Sequence, residues 1–420
     1  MAPLEDSASA LLHHRPFAQF YLSRVLGSLA SNMQVVAVSW QIYELTGRPM
    51  DLGLVGLAQF LPVAILTLVA GHVADRYDRK RVISISQIVD GLAMAILAVG
   101  TLGGWLTRDF ILAVVVVFGS ARVFQQPGQQ SLLPLVVPPT LLSRAIAVSS
   151  SSNQVATIIG PAIAGVLMVF SIPLVYVICA ALYFVAALLS LLIKSERSAI
   201  SREPISVASL FAGIRFILRR EVLLGSMTLD LLAVILGGVN AMLPIYAKDI
   251  FETGPEGLGL LRLSPAIGAL ALSLVLMRWP IRYKAGATMC VAVACFGIAT
   301  IVFGLSTSMT VAVIALVAMG ASDLISVVIR STFVQFATPN EMRGRVSAVN
   351  FLFIGASNQL GDFRSGLTAE WLGAVPSVLI GGIGTLVVVA ASVLVFPQLA
   401  RIDRMEDARK YAEPSRPRSE

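Results

Sequence analysis

Twelve apolar runs, most of about 20 residues, follow one another between residues 17 and 396, and no other feature restricts the fold as severely. A helix needs about 20 residues to cross ~30 Å of hydrocarbon. Lipid offers no partner to an unpaired N–H or C=O, so segments that cross it are helices or strands of a closed barrel. A barrel would show short stretches of alternating polarity, and the sequence has none. The runs lie near 17–44, 52–70, 82–101, 109–135, 146–169 and 173–193, then near 222–247, 257–277, 286–305, 309–336, 347–372 and 375–396. Of the 420 residues, 56% are apolar and 13% charged, where a soluble domain carries about a quarter charged residues. The expected fold class is therefore an all-α polytopic membrane protein of twelve transmembrane helices, spans 1 to 12, in two six-helix halves. No signal-type cleavage site follows the first run, which reads as a first membrane helix.

The order of the chain follows: an N-terminal tail, 1–16; a six-helix half, 17–193; a polar central loop, 194–221; a second half, 222–396; and a charged, Pro-containing tail, 397–420, expected to be mobile. If both termini are cytoplasmic, the inner tails and loops hold 23 of the 31 Lys and Arg, and the outer loops hold only Arg48, Arg108, Lys248 and Arg262. That bias sets the topology of a multi-pass protein of the cytoplasmic (inner) membrane. It also accounts for the net charge of +7 without a nucleic-acid partner.

An internal repeat is visible. At an offset of 201, Gly119 falls on Gly320, Pro138 on Pro339, Arg144 on Arg345 and Ala147-Val148 on Ala348-Val349; at 203, Ile42-Tyr43 falls on Ile245-Tyr246. Parallel repeats of this kind place a substrate site between the halves, near the membrane midplane.

Enzyme chemistry has no footing here. There is no P-loop, no nucleophile elbow and no HExxH, and the three histidines are too scattered for a metal site, so neither cofactor nor metal is expected. Cys179, Cys290 and Cys295 all lie in apolar runs and read as small core residues without a disulfide. The informative residues are ionisable groups within spans, where charge is costly. Arg122 in span 4 and Asp323 in span 10 are repeat-equivalent and opposite in charge, and Asp230 in span 7 is the preferred proton carrier, with Asp90 packing structurally. Asp362 and Arg364 are two apart and share no helix face. Asn32, Gln34, Gln126, Asn240 and Arg330 are candidates to line a substrate cavity, although amides also tie helices together. Pro127 and Pro134 are expected to bend span 4. Gly160, Pro161 and Gly165 in span 5 suit close helix packing.

Between spans 2 and 3, Gly71-His-Val-Ala-Asp75-Arg-Tyr-Asp-Arg79-Lys-Arg81 carries an ordered set of charges in a loop too short for a domain. It resembles the signature loop of the major facilitator superfamily. Tyr43-Glu-Leu-Thr-Gly47, Phe124-Gln-Gln-Pro127 with Leu133-Pro134, Gly257-Leu-Gly-Leu-Leu261 and Arg343-Gly-Arg-Val346 are similar to the drug:proton antiporter branch, which includes siderophore exporters and macrolide efflux proteins. The resemblance implies that Gly71, Asp75 and Arg79 form a cytoplasmic gate that stabilises an outward-open state, and that Arg122 takes part in proton coupling. Two departures are plain: Asp78 stands where the loop has a second glycine, and Ala156 and Ala164 stand where the antiporter motif of span 5 has glycines. The function so implied is export of a small organic molecule, siderophore-like or drug-like, by proton antiport and alternating access. Its partners are substrate, protons and the bilayer, and a monomer suffices. Import or facilitated passage on the same fold, and a non-transporting membrane receptor or assembly partner, are the alternatives.

Overall fold

The computed structural model describes residues 14–193 and 207–412. Among them the chain forms long helices joined by short turns, with no strand. Helices α1 (Arg15–Thr46), α2 (Pro49–Arg76), α3 (Arg79–Leu102), α4 (Arg108–Leu132), α5 (Leu142–Phe170) and α6 (Ile172–Leu192) correspond to spans 1 to 6. A twelve-residue helix, α7 (Val207–Leu218), lies within the stretch expected to be a loop. Span 7 begins as α8 (Glu221–Gly237), and spans 8 to 12 are α9 (Gly254–Arg278), α10 (Ala285–Leu305), α11 (Met309–Ala337), α12 (Asn340–Leu372) and α13 (Ala374–Val395).

Ten segments among the described residues are long and apolar enough to cross a membrane. The remaining two spans, α1 and α12, are diluted by polar groups such as Gln34 and Gln41 in one and Asp362 and Arg364 in the other. Large apolar side chains stand exposed along the helices, Phe170, Met277 and Leu394 among them, as lipid-facing surfaces require. Local punctuation agrees with the sequence. Gly47 ends α1 in the left-handed conformation (φ 62°) and its N–H bonds to Tyr43 O, a closure only glycine adopts without strain. Span 4 runs helically through Pro127 and tightens to a 3₁₀ turn at Leu133–Leu135, where Pro134 sits.

Two packing units emerge. The first comprises Met1–Gly47, Ala58–Pro204 and Thr253–Leu263; the second comprises Arg48–Leu57, Ile205–Glu252 and Ser264–Glu420. The unit boundaries thus depart from the two halves expected, because each takes in a short segment, 48–57 or 253–263, from the other half of the sequence. Within the first unit, Phe17, Phe20, Ile83, Leu132, Leu133 and Ile193 form an apolar core. Within the second, a larger core joins α8, α10, α11 and α12 to the chain beyond α13. Leu399, Ile402 and Ala408 are buried there, and the backbone N–H groups of Ala285 and Gly286 bond to the carbonyls of Asp403 and Ile402. The tail expected to be mobile is therefore docked as far as residue 408, held by three apolar side chains set among its charges.

Candidate functional site

The second unit holds a buried charge cluster. Asp230 projects from the third turn of α8 and is 5% exposed, and Arg330 projects from α11 and is 2% exposed. Their Oδ2 and Nη2 atoms are 3.3 Å apart. Ser326, one turn before Arg330, donates to Asp230 Oδ1 at 2.9 Å, and Arg330 Nη1 donates to Asn350 Oδ1 of α12 at 2.9 Å. Spacing explains the arrangement: residues 326 and 330 share a face of α11, and Asp323 lies one turn before Ser326 on the same side. Asp230 and Asp323 line one small cavity with Ser322 and Ser326, closed on the apolar side by Ala233, Val293 and Phe296. Two carboxylates and one guanidinium at this point sum to a single negative charge, which one proton cancels.

Arg330, expected to line a substrate cavity, is buried and bonds to Asp230 and Asn350, with its Nε unpartnered among the described residues. Asn240 lies in the first turn after α8 and is partly exposed. Sequence spacing does not reveal Ser326 and Asn350 as partners, since serines and asparagines recur in many spans.

In the first unit several buried polar residues bond to neighbouring helices. Gln34, another expected cavity residue, is buried and accepts a 2.8 Å hydrogen bond from the Tyr183 hydroxyl. Gln41 accepts from Tyr176 at 2.6 Å and donates to Thr101 at 2.7 Å. Gln87 donates to Ser23 and accepts from Ser190, both at 3.1 Å. Asn32 turns back to the carbonyl of Ser28. Gln126 is partly exposed on α4, and Arg122 on the same helix is exposed. Asp90 is buried, with Oδ1 unpaired among the described residues. Gly160 packs against α1, where a Cβ would stand 2.7 Å from Asn32 Cβ, and beside it Pro161 is buried within α5. Gly165 packs against Gly259, where a Cβ would meet the Gly259 Cα at 2.9 Å. Gly71 and Asp75 occupy the last turns of α2, and Arg79 opens α3, whose first turn is capped by the Asp78 side chain accepting from Lys80 N. That cap gives Asp78 a local role at the position where a glycine was expected.

Comparison with known proteins adds the following. A family profile described as transmembrane secretion effector matches residues 6–416. The enterobactin exporter EntS of Escherichia coli O1:K1 is 26% identical, over 94% of each chain. The macrolide efflux protein A of Streptococcus pyogenes is 21% identical, over 93% of this chain and 97% of that one. An MFS-type transporter of Bacillus subtilis, YfiS, is 25% identical over 86% and 88%. Among solved structures, a POT family transporter in complex with 5-aminolevulinic acid superposes with a TM-score of 0.72 at 12% identity, covering 92% of this chain and 96% of that one. A bacterial homologue of the lysosomal transporter Spinster gives 0.68 at 15% identity, over 95% and 97%.

Proposed function

The chain belongs to the transmembrane secretion effector family of major facilitators, a family of membrane transporters, and from that premise we propose that it exports a small organic molecule across the cytoplasmic membrane in exchange for protons. The observation that supports proton exchange is the cluster of Asp230, Asp323 and Arg330: the two acids line one cavity, and Arg330 is paired with Asp230. With both acids ionised it carries one negative charge, and with one protonated it is neutral. A proton gradient therefore changes the charge at a buried point, and the protein alternates between states to the extent that they bind that proton differently. The junction of α2 and α3 bearing Gly71, Asp75 and Arg79 stabilises one of those states, and Arg122 serves the same coupling from the first unit. Both termini face the cytoplasm in this reading, which the bias of 23 Lys and Arg toward that side supports.

The cargo proposed is siderophore-like or drug-like, since the exporters of similar sequence are named for enterobactin and for macrolides. Inside-out membrane vesicles carrying the protein test the proposal directly. Enterobactin and a macrolide are offered with and without an imposed proton gradient, for the native chain and for Asp230→Asn. Uptake of one compound that needs both the gradient and Asp230 is the expected result. Uptake indifferent to both removes proton antiport, and accumulation only in right-side-out vesicles indicates import.

A further inference from the structure

Span 7 is not one helix. The sequence pattern runs as a single apolar segment, but α8 stops at Gly237, Gly238 is extended (ψ 127°), and the chain resumes as a 3₁₀ turn at Asn240–Met242, a helical turn at Leu243–Ile245 and a π-turn at Tyr246–Ile250. A helix end exposes carbonyls that nothing in lipid will satisfy. Here every carbonyl from Val234 to Gly238 has a partner. Val234 O accepts from Gly238 N. Ile235 O accepts from Arg364 Nε at 3.2 Å, and Leu236 O from Arg364 Nη2. Gly237 O lies 3.5 Å from the Thr300 hydroxyl, and Gly238 O accepts from Ser365 Oγ at 2.9 Å. On the far side of the break, Ala241 N donates to Asp362 Oδ1 at 3.2 Å.

The charges match the ends they serve. A guanidinium meets the negative, carbonyl end of α8, and a carboxylate meets the amide end of the segment that follows. Both come from one turn of α12, and that turn lies against the break so closely that a Cβ on Gly361 would sit 2.8 Å from Val234 O. The end of α8 is also close-packed on its other side, where only glycine fits at 237, because a Cβ there would stand 2.6 Å from both Phe296 and Thr385. Asp230 lies two turns below Gly237, about 10 Å along the helix axis.

We propose that Asp362 and Arg364 are positioning residues: they hold open a built-in interruption in membrane helix 7 and thereby set where α8 ends and how Asp230 meets Arg330. The inference rests on the reading of Asp230 as a proton-exchanging acid only in its second half. The groups that face Asp230 are Arg330, Asp323 and Ser326 from α11; α10 brings Val293 and Phe296 to the same cavity and no charge.

Hydrogen–deuterium exchange on the purified full-length protein in detergent is the test. Arg364→Gln is expected to raise exchange of the amides between residues 235 and 243 about tenfold or more, the size of one lost charge-assisted bond. Arg364→Lys, which keeps the charge but not the fork, is expected to fall between. Asp362→Asn keeps an acceptor for Ala241 N and is expected to preserve protection that Asp362→Ala loses, so a folded pair remains for comparison if Arg364→Gln does not fold. Unchanged protection in Arg364→Gln and Asp362→Ala overturns the proposal. The second readout is infrared titration of the carboxyl band that Asp230→Asn removes. Its midpoint is expected to move in Arg364→Gln, which a merely structural role would leave in place, and an unmoved midpoint overturns the positioning of Asp230. If Asp230→Asn removes no titrating band, the role given to Asp230 falls, while the exchange data alone decide whether the interruption is held as described.

Discussion

Membrane helices 1 and 7 occupy equivalent places in the sequence repeat, with Ile42-Tyr43 of one falling on Ile245-Tyr246 of the other, yet they are built in opposite ways. Helix 1 runs unbroken for 32 residues. It is anchored by neutral groups at three levels: Ser23 to Gln87 and Ser190, Gln34 to Tyr183, and Gln41 to Tyr176 and Thr101. Helix 7 is interrupted after 17 residues, carries a buried acid, and is held by charged partners from α11 and α12. Neutral hydrogen bonds tie a helix down without responding to pH. A buried ion pair and a bracketed break respond to both protonation and displacement. In the proposed reading, of two helices at equivalent places in the repeat, one is scaffold and the other carries the proton exchange.

The comparison breaks most readily at the ion pair. Arg330→Leu leaves the Asp230 carboxylate buried beside no cation, a loss of about 3–5 kcal/mol. The expected outcome is a large fall in the thermal midpoint of the detergent-solubilised protein. Replacing both members together, Asp230→Leu with Arg330→Leu, should recover most of that stability while abolishing proton-dependent uptake. If the double variant still transports with its proton dependence intact, helix 7 is as much scaffold as helix 1.

Next in size is Gly237→Ala. A methyl group 2.6 Å from Phe296 and Thr385 must displace one of them, an overpacking cost of about 1–3 kcal/mol. The matching change in helix 5, Gly160→Ala, meets Asn32 Cβ at 2.7 Å and should cost a similar amount in thermal stability. The contrast lies in the second readout: only Gly237→Ala should alter the pH profile of uptake.

How much of this was legible beforehand follows the same division. The twelve spans are written in apolar runs, and even α1 and α12, the most polar of them, stand out because turns flank them. The tail beyond 396 misleads because Leu399, Ile402 and Ala408 are spread among charges, and three separated apolar residues leave no periodic signal. The break in span 7 did leave a signal, the Gly237-Gly238 pair followed by Asn240 and Pro244. Hydropathy averages it away, since glycine and valine there are as apolar as a continuous helix would be. Spacing alone keeps Asp362 and Arg364 off one helix face, yet both bond to the interrupted helix 7. An interrupted neighbour offers a carbonyl end and an amide end in different directions, and residues two apart can reach one each. Gln34 shows the reverse difficulty: an amide in a span has the same spelling whether it meets a substrate or a tyrosine. Asp230 with Asp323 and Arg330 joins groups nearly 100 residues apart, so no local spacing announces it.

Tyr183→Phe probes the scaffold side at smaller cost. It leaves Gln34 Oε1 buried without its donor, a loss of about 1–3 kcal/mol, and should lower the thermal midpoint without shifting the pH dependence of uptake. A shifted profile would place helix 1 in the proton pathway and erase the contrast.

The smallest effect concerns the N-terminal end of α2, the segment that packs within the second unit. There Arg48 pairs with Glu370 at 2.9 Å, and Met50 N donates to the same carboxylate at 3.2 Å. The Arg48 side chain is 57% exposed, so water and salt screen the pair and it contributes little. Arg48→Gln should therefore leave the thermal midpoint nearly unchanged at physiological salt. Glu370→Gln should cost slightly more, because the Met50 amide then faces a neutral acceptor. The two differ in salt dependence: raising ionic strength should shrink the effect of Arg48→Gln toward zero and leave that of Glu370→Gln, part of which is a hydrogen bond. A large, salt-independent loss in Arg48→Gln would mean that this surface pair holds more of the second unit together than the buried cluster on helix 7, and the division between neutral scaffold and charged machinery would have to be redrawn around the N-terminal end of α2.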